Sequence, residues 1–217
     1  MELKEAIVSR RSVRGYSADS IETDTIRELL SVAVWAPTAC NRQDYFFIIV
    51  DDKELISRIV DAGSSKVLLK SDKVLFVLYS SVTDNIQYSD HVQSASGIIQ
   101  NFLLLAHEQN IGTCWICHLA RKKELAKLLN IPDGVEVIAA VSIGYPKKDN
   151  PRTVERKFEI GDVVGVNSFY SNNRKLRDKN KVYLKIVLNT IYYVLPTSLK
   201  KRINNFLDKR FVKKFEN

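Results

Sequence analysis

Apolar and polar positions alternate along this chain in two distinct rhythms. Ile26, Leu29, Leu30 and Ala33 recur at helical spacing, with Thr23 or Asp24 placed to cap the helix and Pro37 to stop it. Tyr45-Phe46-Phe47-Ile48-Ile49-Val50 is a short, wholly apolar run closed by Asp51-Asp52, the pattern of a buried strand. A helix through Leu55, Ile56 and Ile59 is expected next, then a second buried strand at Val74-Leu75-Phe76-Val77-Leu78-Tyr79. The longest helical pattern runs from about His91 to Gln109, centred on Ile98, Ile99, Phe102, Leu103 and Ala106. Its apolar residues are thick enough to predict a central helix covered on most sides. Gly112 to Cys117 reads as a third extended segment, Lys122 to Leu129 as a short helix, and Val135 to Ile143 as a fourth strand ending in Gly144-Tyr145-Pro146. Strands and helices interleave, which predicts a helix-covered sheet.

At 217 residues the chain suits one domain with an appendage better than two full domains. The polar stretch Ser171-Asn172-Asn173 divides the two, giving an expected body over 1–170 and an extension over 171–217. Charge divides at the same place. Residues 171–217 hold 13 Lys/Arg against 3 Asp/Glu, while 1–170 hold 20 against 22, so the net charge of +8 belongs to the extension. A near-neutral body argues against nucleic acid as a partner, because such a protein carries its basic stripe on the folded domain. The opening Met1-Glu2-Leu3-Lys4-Glu5 has acidic residues where a secretory leader has a basic patch and an apolar run. Three irregularly spaced cysteines make no disulfide framework. A cytoplasmic location is the resulting expectation.

Four segments can carry chemistry. Arg10-Arg11-Ser12-Val13-Arg14 sets three guanidiniums and a hydroxyl within five residues, enough to grip a phosphate or to form nothing more than a solvated basic turn. Ala36-Pro37-Thr38-Ala39-Cys40-Asn41-Arg42-Gln43 joins a helix to a strand; its small residues would let backbone approach a flat ligand, and Asn41 and Gln43 could bond a polar edge. Ile111-Gly112-Thr113-Cys114-Trp115-Ile116-Cys117 could form a ledge for a ring system. Its Cys-x-x-Cys spacing admits a dithiol or a zinc site, but zinc wants four ligands and there is no second pair, so buried structural cysteines are the simpler reading. Arg152 and the pair Arg156-Lys157 follow the Gly144-Tyr145-Pro146 turn. Ser12, His91, His107 and His118 have no partner at a recognisable spacing, and none stands out as a nucleophile or base.

In this order and at these separations, together with Gln100-Asn101-Phe102-Leu103-Leu104-Leu105-Ala106 on the long helix, the segments resemble the short form of the nitroreductase family of FMN-dependent oxidoreductases. The resemblance covers roughly residues 1–165. It implies an α+β fold, a central and mostly antiparallel sheet flanked by helices, in an interwoven homodimer. It implies that Arg10, Arg11 and Ser12 hold the FMN phosphate and ribityl chain, with Arg14 near the pyrimidine end or the phosphate. Pro37, Thr38, Ala39 and Asn41 would approach the isoalloxazine from the partner subunit, Thr113, Cys114 and Trp115 would border the ring, and Arg156 and Lys157 would return to the phosphate. The implied activity passes electrons from NADH or NADPH to a small organic acceptor such as a nitro compound or quinone in ping-pong fashion, the flavin carrying the reaction and no side chain serving as a catalytic residue. A flavin-binding protein without turnover, recruited to a surface by its tail, is the alternative. Two departures bear on the acceptor: Asp44-Tyr45 replaces the family's Pro-Trp, and Cys117 stands where a small residue is common.

The family says nothing about the extension, which must be read from its residues. Leu199, Ile203, Phe206, Leu207, Phe211 and Phe215 fall on one helical face, with Lys200, Lys201, Arg202, Lys209, Arg210, Lys213 and Lys214 over much of the rest. Val182 to Leu195 is almost wholly apolar, at 14 residues too short to span a bilayer. Such a segment suits an anionic membrane interface at the inner face of the membrane, or packing on the body or its dimer mate.

Overall fold

The computed structural model describes residues 1–217 apart from 83, 84, 86, 148–158, 171–177, 197, 200–202 and 204–217, and apart from the side chains of 181, 185, 189 and 193. The chain divides into two units, Met1–Asn150 and Pro151–Asn217.

The first unit is built on four strands, β1 (Tyr45–Val50), β2 (Lys73–Ser80), β3 (Gly112–Ile116) and β4 (Val135–Gly144). They lie in the order β1-β2-β4-β3 with every neighbouring pair antiparallel. The expected antiparallel α+β sheet is therefore the observed one. Side chains alternate across a strand, and here both faces are covered. Leu75, Val77 and Tyr79 of β2 enter one core, with Val141 and Ile143 of β4 and the helices α2 (Thr23–Ala33) and α4 (Asp90–Glu108). Val74, Phe76 and Leu78 enter the other, with Val137 and Ala140 and the helices α3 (Lys53–Asp61) and α5 (Lys122–Leu129). That two-sided burial explains why β2 reads as an unbroken apolar run. Its register against β4 slips at Val77/Leu78, a bulge in the middle of the sheet.

α4 and α5 begin and end within a residue of their expected bounds. α1 (Leu3–Ser9) leads directly into the arginine segment. α2 starts after Glu22, in extended conformation and with no side-chain cap, rather than on a Thr23 or Asp24 cap. α3 has a true cap in Asp52, whose carboxylate accepts from the Glu54 and Leu55 amides. α4 buries Ala95, Ile98, Ile99, Phe102, Leu103 and Ala106 completely or nearly so, but Val92, Gln93 and Gln100 remain exposed. One face of this helix is thus open in the single chain, where its composition predicts cover on most sides.

A polar clasp ties α4 and α5 to β4. His91 Nε2 lies 3.0 Å from Glu136 Oε1, and the Lys122 ammonium pairs with the other carboxylate oxygen. Burial acts to raise the Glu136 pKa, but Lys122 and His91 together outweigh it and hold the carboxyl below its ordinary value. A depressed folded-state pKa contributes stability above the unfolded-state value near 4.5, and that contribution is lost as pH falls through the folded value. Urea unfolding of the parent and of Glu136→Gln at pH 7 and at successively lower pH is expected to show the parent losing stability more steeply in acid; parallel pH profiles would contradict the clasp.

Candidate active site

The arginine segment leaves α1 in extended form and is fastened across the ends of β3 and β4. Ser12 forms a parallel bridge with Thr113, Val13 N–H donates to the Thr113 carbonyl at 2.9 Å, and Ser17 N–H donates to the Tyr145 carbonyl at 2.8 Å. Two glycines permit this approach. A Cβ on Gly112 would sit 2.9 Å from Val13 Cγ1, and one on Gly144 would sit 2.7 Å from the Tyr16 ring. The sequence suggested Gly112 as a ledge for a ligand; the structure uses it to admit the Val13 side chain.

Tyr16 is the latch. Its hydroxyl donates to the Val13 carbonyl at 2.7 Å and, its single proton spent there, accepts from Ser142 Oγ at 2.7 Å. Ser142 is fully buried, and burial drives the Tyr16 phenol pKa upward. Neither Tyr16 nor Ser142 was marked by sequence motifs, since they are 126 positions apart and only the antiparallel sheet brings them together.

This fastening gathers part of the expected site. Ser12 and the charges of Arg14 and Arg10 lie close enough to act on the Cys114 thiol, each favouring its ionised form. Burial nevertheless dominates and pushes the Cys114 thiol up, the reverse of what a reactive thiolate needs. Cys114 is buried and Cys117 exposed just past the strand end, and both are free, so this Cys-x-x-Cys has no dithiol geometry on a helix. Thr113 is buried beside Ser12, and Trp115 is half-buried with its Nε1 enclosed and without a hydrogen-bond partner among the described residues. Arg11 turns back, its Nη1 donating to the Val8 carbonyl at 2.6 Å and the Arg10 carbonyl at 2.9 Å. His107 also proves to be placed: its Nε2 lies 2.8 Å from Ser9 Oγ, which itself donates to the Glu5 carbonyl. Burial first, then the positive charges of Arg10 and Arg11, hold the His107 pKa below its usual value.

The second expected segment lies elsewhere on the same chain. Ala39 N–H donates to Ser94 Oγ at 3.0 Å near the start of α4, and Gly97 faces Ala36 closely, a Cβ there reaching 3.3 Å. Cys40, Asn41 and Gln43 all take left-handed backbone, with φ of 51°, 54° and 54°. Three such residues among four, none of them glycine, mark a strained loop held by its surroundings. Gln43 helps to hold it, its N–H donating to Thr38 Oγ1 at 3.3 Å and its side chain to Asn41 Oδ1 at 2.9 Å. The charge introduced by Asp44 is matched by Arg42 Nε at 3.1 Å. Ser94 and His107 are 13 positions apart on one helix, so this loop and the arginine segment are about 20 Å apart along α4. Arg156 and Lys157 lie outside the described residues. An open depression of about 400 Å³ between α2 and β1, lined by Thr23, Arg27, Leu30, Phe47, Ile49 and Asp51, includes none of these groups.

Comparison with known proteins identifies the arrangement. The sequence profile of the nitroreductase family matches residues 7–79 and 61–145. The chain belongs to the nitroreductase family. It is 33% identical over 152 residues to a protein of Archaeoglobus fulgidus assigned by name to the NADH dehydrogenase/NAD(P)H nitroreductases, covering 68% of this chain and 87% of that one. The fold matches a nitroreductase family protein of Clostridium difficile 630, with a TM-score of 0.68, 21% identity, and coverage of 78% of this chain and all of the other. It also matches an FMN-dependent nitroreductase of Clostridium difficile R20291, with a TM-score of 0.65, 23% identity, and coverage of 76% and 99%. Membership makes this nitroreductase-family chain an oxidoreductase.

The latch should be separable from the core. Tyr16→Phe leaves the Val13 carbonyl and the Ser142 hydroxyl with one bond fewer each, a loss of about 1–3 kcal/mol. We expect a matching drop in urea midpoint and faster tryptic cleavage after Arg10, Arg11 or Arg14. Unchanged cleavage would show that the segment is held by other means.

Proposed function

We propose that this nitroreductase-family chain binds FMN at a homodimer interface and passes electrons from a reduced nicotinamide to a small organic acceptor, such as a nitro compound or quinone, in a ping-pong cycle. The cofactors follow from the family, FMN as the bound flavin and NADH or NADPH as the donor. The carrying observation is the fastening of Arg10, Ser12 and Arg14 beside Thr113 and Cys114. A cluster of guanidiniums and a hydroxyl on a backbone that cannot shift suits a phosphate dianion. The enclosed Trp115 Nε1, without a partner among the described residues, fits the same reading, since a buried donor is costly unless an acceptor reaches it.

On this proposal Arg10, Arg11 and Ser12 hold the phosphate and ribityl chain, with Arg11 swinging out from α1 to do so. Arg14 offers positive charge at the pyrimidine end or the phosphate, and Thr113, Cys114 and Trp115 border the ring. The flavin, when bound, supplies two-electron transfer between donor and acceptor. The protein supplies position, a fixed positive field and exclusion of water. No side chain need act as nucleophile or base, in keeping with the high thiol pKa of Cys114.

The placing of the second loop supports a site shared between subunits. Pro37, Thr38, Ala39 and Asn41 sit toward the start of α4, some 20 Å along the helix from the arginine segment, and Pro37, Thr38, Ala39 and Asn41 of the partner subunit would complete the pocket. Exposed apolar side chains at Leu3, Ile7, Val8, Val32, Trp35 and Val92 favour the same assembly, because a lone chain would leave them in water. Arg156 and Lys157 join the phosphate grip by resemblance alone. The charge of residues 171–217 favours a peripheral position on the inner face of a membrane.

Replacing Arg10 and Ser12 together by Ala should release FMN from a chain that stays folded, each charged hydrogen bond being worth about 1.5–3 kcal/mol. Equal flavin content in variant and parent would overturn the assignment. Anaerobic addition of NADH or NADPH should bleach the yellow protein; flavin that stays oxidised would leave a binder without turnover. Sedimentation should give a dimer with two flavins, and a flavin-retaining monomer would exclude the shared pocket.

A further inference from the structure

Helix α6 (Lys179–Val194) belongs to the second unit and has an unusual surface. Leu184, Ile186, Leu188, Ile191 and Val194 are 53–77% exposed, and Val182, Tyr183 and Val187 are exposed as well. With 100° between residues, these eight positions cover roughly two thirds of the helix circumference. Positions 181, 185 and 189, occupied by Lys, Lys and Asn, recur every fourth residue and form one narrow stripe along the remainder. Lys179 and Asn180, in the opening turn, and Thr190 also fall inside this arc, and the Thr190 hydroxyl bonds back to the Ile186 carbonyl at 3.0 Å. Tyrosines stand near both ends, at 183 and at 192–193.

We propose that α6 is an interfacial anchor that lies in the surface of an anionic lipid bilayer, its broad apolar arc among the acyl chains and its narrow polar stripe toward water. This rests on the peripheral location proposed for the tail and adds the element that inserts; it does not depend on the flavin chemistry. At 16 residues the helix is about 24 Å long, short of the roughly 30 Å hydrocarbon core, and no helix among the described residues is long and apolar enough to cross. A helix so broadly apolar lies deep in the interface, with Tyr183 and Tyr192 at the headgroup level.

Charge selects the bilayer over a second copy of the chain. Residues 171–217 carry 13 Lys/Arg against 3 Asp/Glu, so two tails packed together would bring like charges face to face. Residues 1–170, with 20 against 22, carry a net charge of only −2 against the +10 of the tail. Anionic headgroups supply the missing counter-charge, roughly a fivefold gain in partition for each cation near the surface.

The test is flotation of the full-length, flavin-loaded protein with phosphatidylcholine vesicles, with and without phosphatidylglycerol. The parent should float with the anionic vesicles, less at high salt, and about tenfold or more less with the neutral ones. Leu184→Asp/Ile191→Asp leaves every cation in place and changes only exposed positions, so it should keep its helix content and flavin yet lose about tenfold or more in partition. If the variant floats like the parent, α6 is not the inserted element, although the location stands. If the parent stays with the soluble fraction, both the location and the anchor are wrong. If the variant instead turns a dimer into a monomer while flotation is unchanged, a second copy covers the helix and the anchor is wrong. Flavin content and anaerobic bleaching on the same samples report the redox reading separately.

Discussion

The candidate phosphate grip depends on a place where two side chains are missing. Gly112 and Gly144 leave β3 and β4 bare at their neighbouring ends, and the chain from Ser12 to Ser17 lies down in that gap. Tyr16 fills the space over Gly144 and closes the seam with its hydroxyl. Ser12 is then fixed beside Thr113, and Arg10 and Arg14 come within electrostatic reach of Cys114. A larger residue at either glycine would push the segment off the sheet, and three arginines on a loose terminus would be only a solvated charge cluster. Gathering three like charges on one short segment costs free energy, and the fold meets that cost with a chain of backbone and buried hydroxyl bonds.

α4 sets the other distance that matters. It is 19 residues long and packed on the sheet through Ile98, Ile99, Phe102 and Leu103. The loop carrying Pro37 to Asn41 is tied to its beginning by Ser94, while Ser9, at the entry to the arginine segment, is tied near its end by His107. The helix therefore holds the two halves of the expected site apart within a chain. The same helix keeps one face open, and with the exposed apolar residues of α1 and α2 this gives the proposed two-fold assembly a physical motive. The extension follows a different logic. Its charge and its exposed apolar helix lie beyond the segments that match the family, and on the proposal above they concern where the chemistry happens rather than what it is.

What the sequence determined by itself is local or cumulative. Apolar period separates helix from strand, so all four strands and the helices α4 and α5 were legible to within a residue or two, and α2 and α3 by most of the positions they bury, the N-cap of α2 being a small exception. Both-sided burial of β2 could be read from its unbroken apolar run. Family membership was legible because short motifs persist in order along the chain, each tied to a local turn or ledge. The order β1-β2-β4-β3, the pairing of Tyr16 with Ser142, the closing of His91 on Glu136 and of Ser9 on His107, and the role of two glycines as gaps were not legible. Each joins residues tens of positions apart or more, and nothing in the spacing of either partner points to the other. Which expected site residues stand together and which stand an α4 length apart was also decided only in three dimensions, because proximity across a sheet is set by strand order and register, which no local pattern encodes.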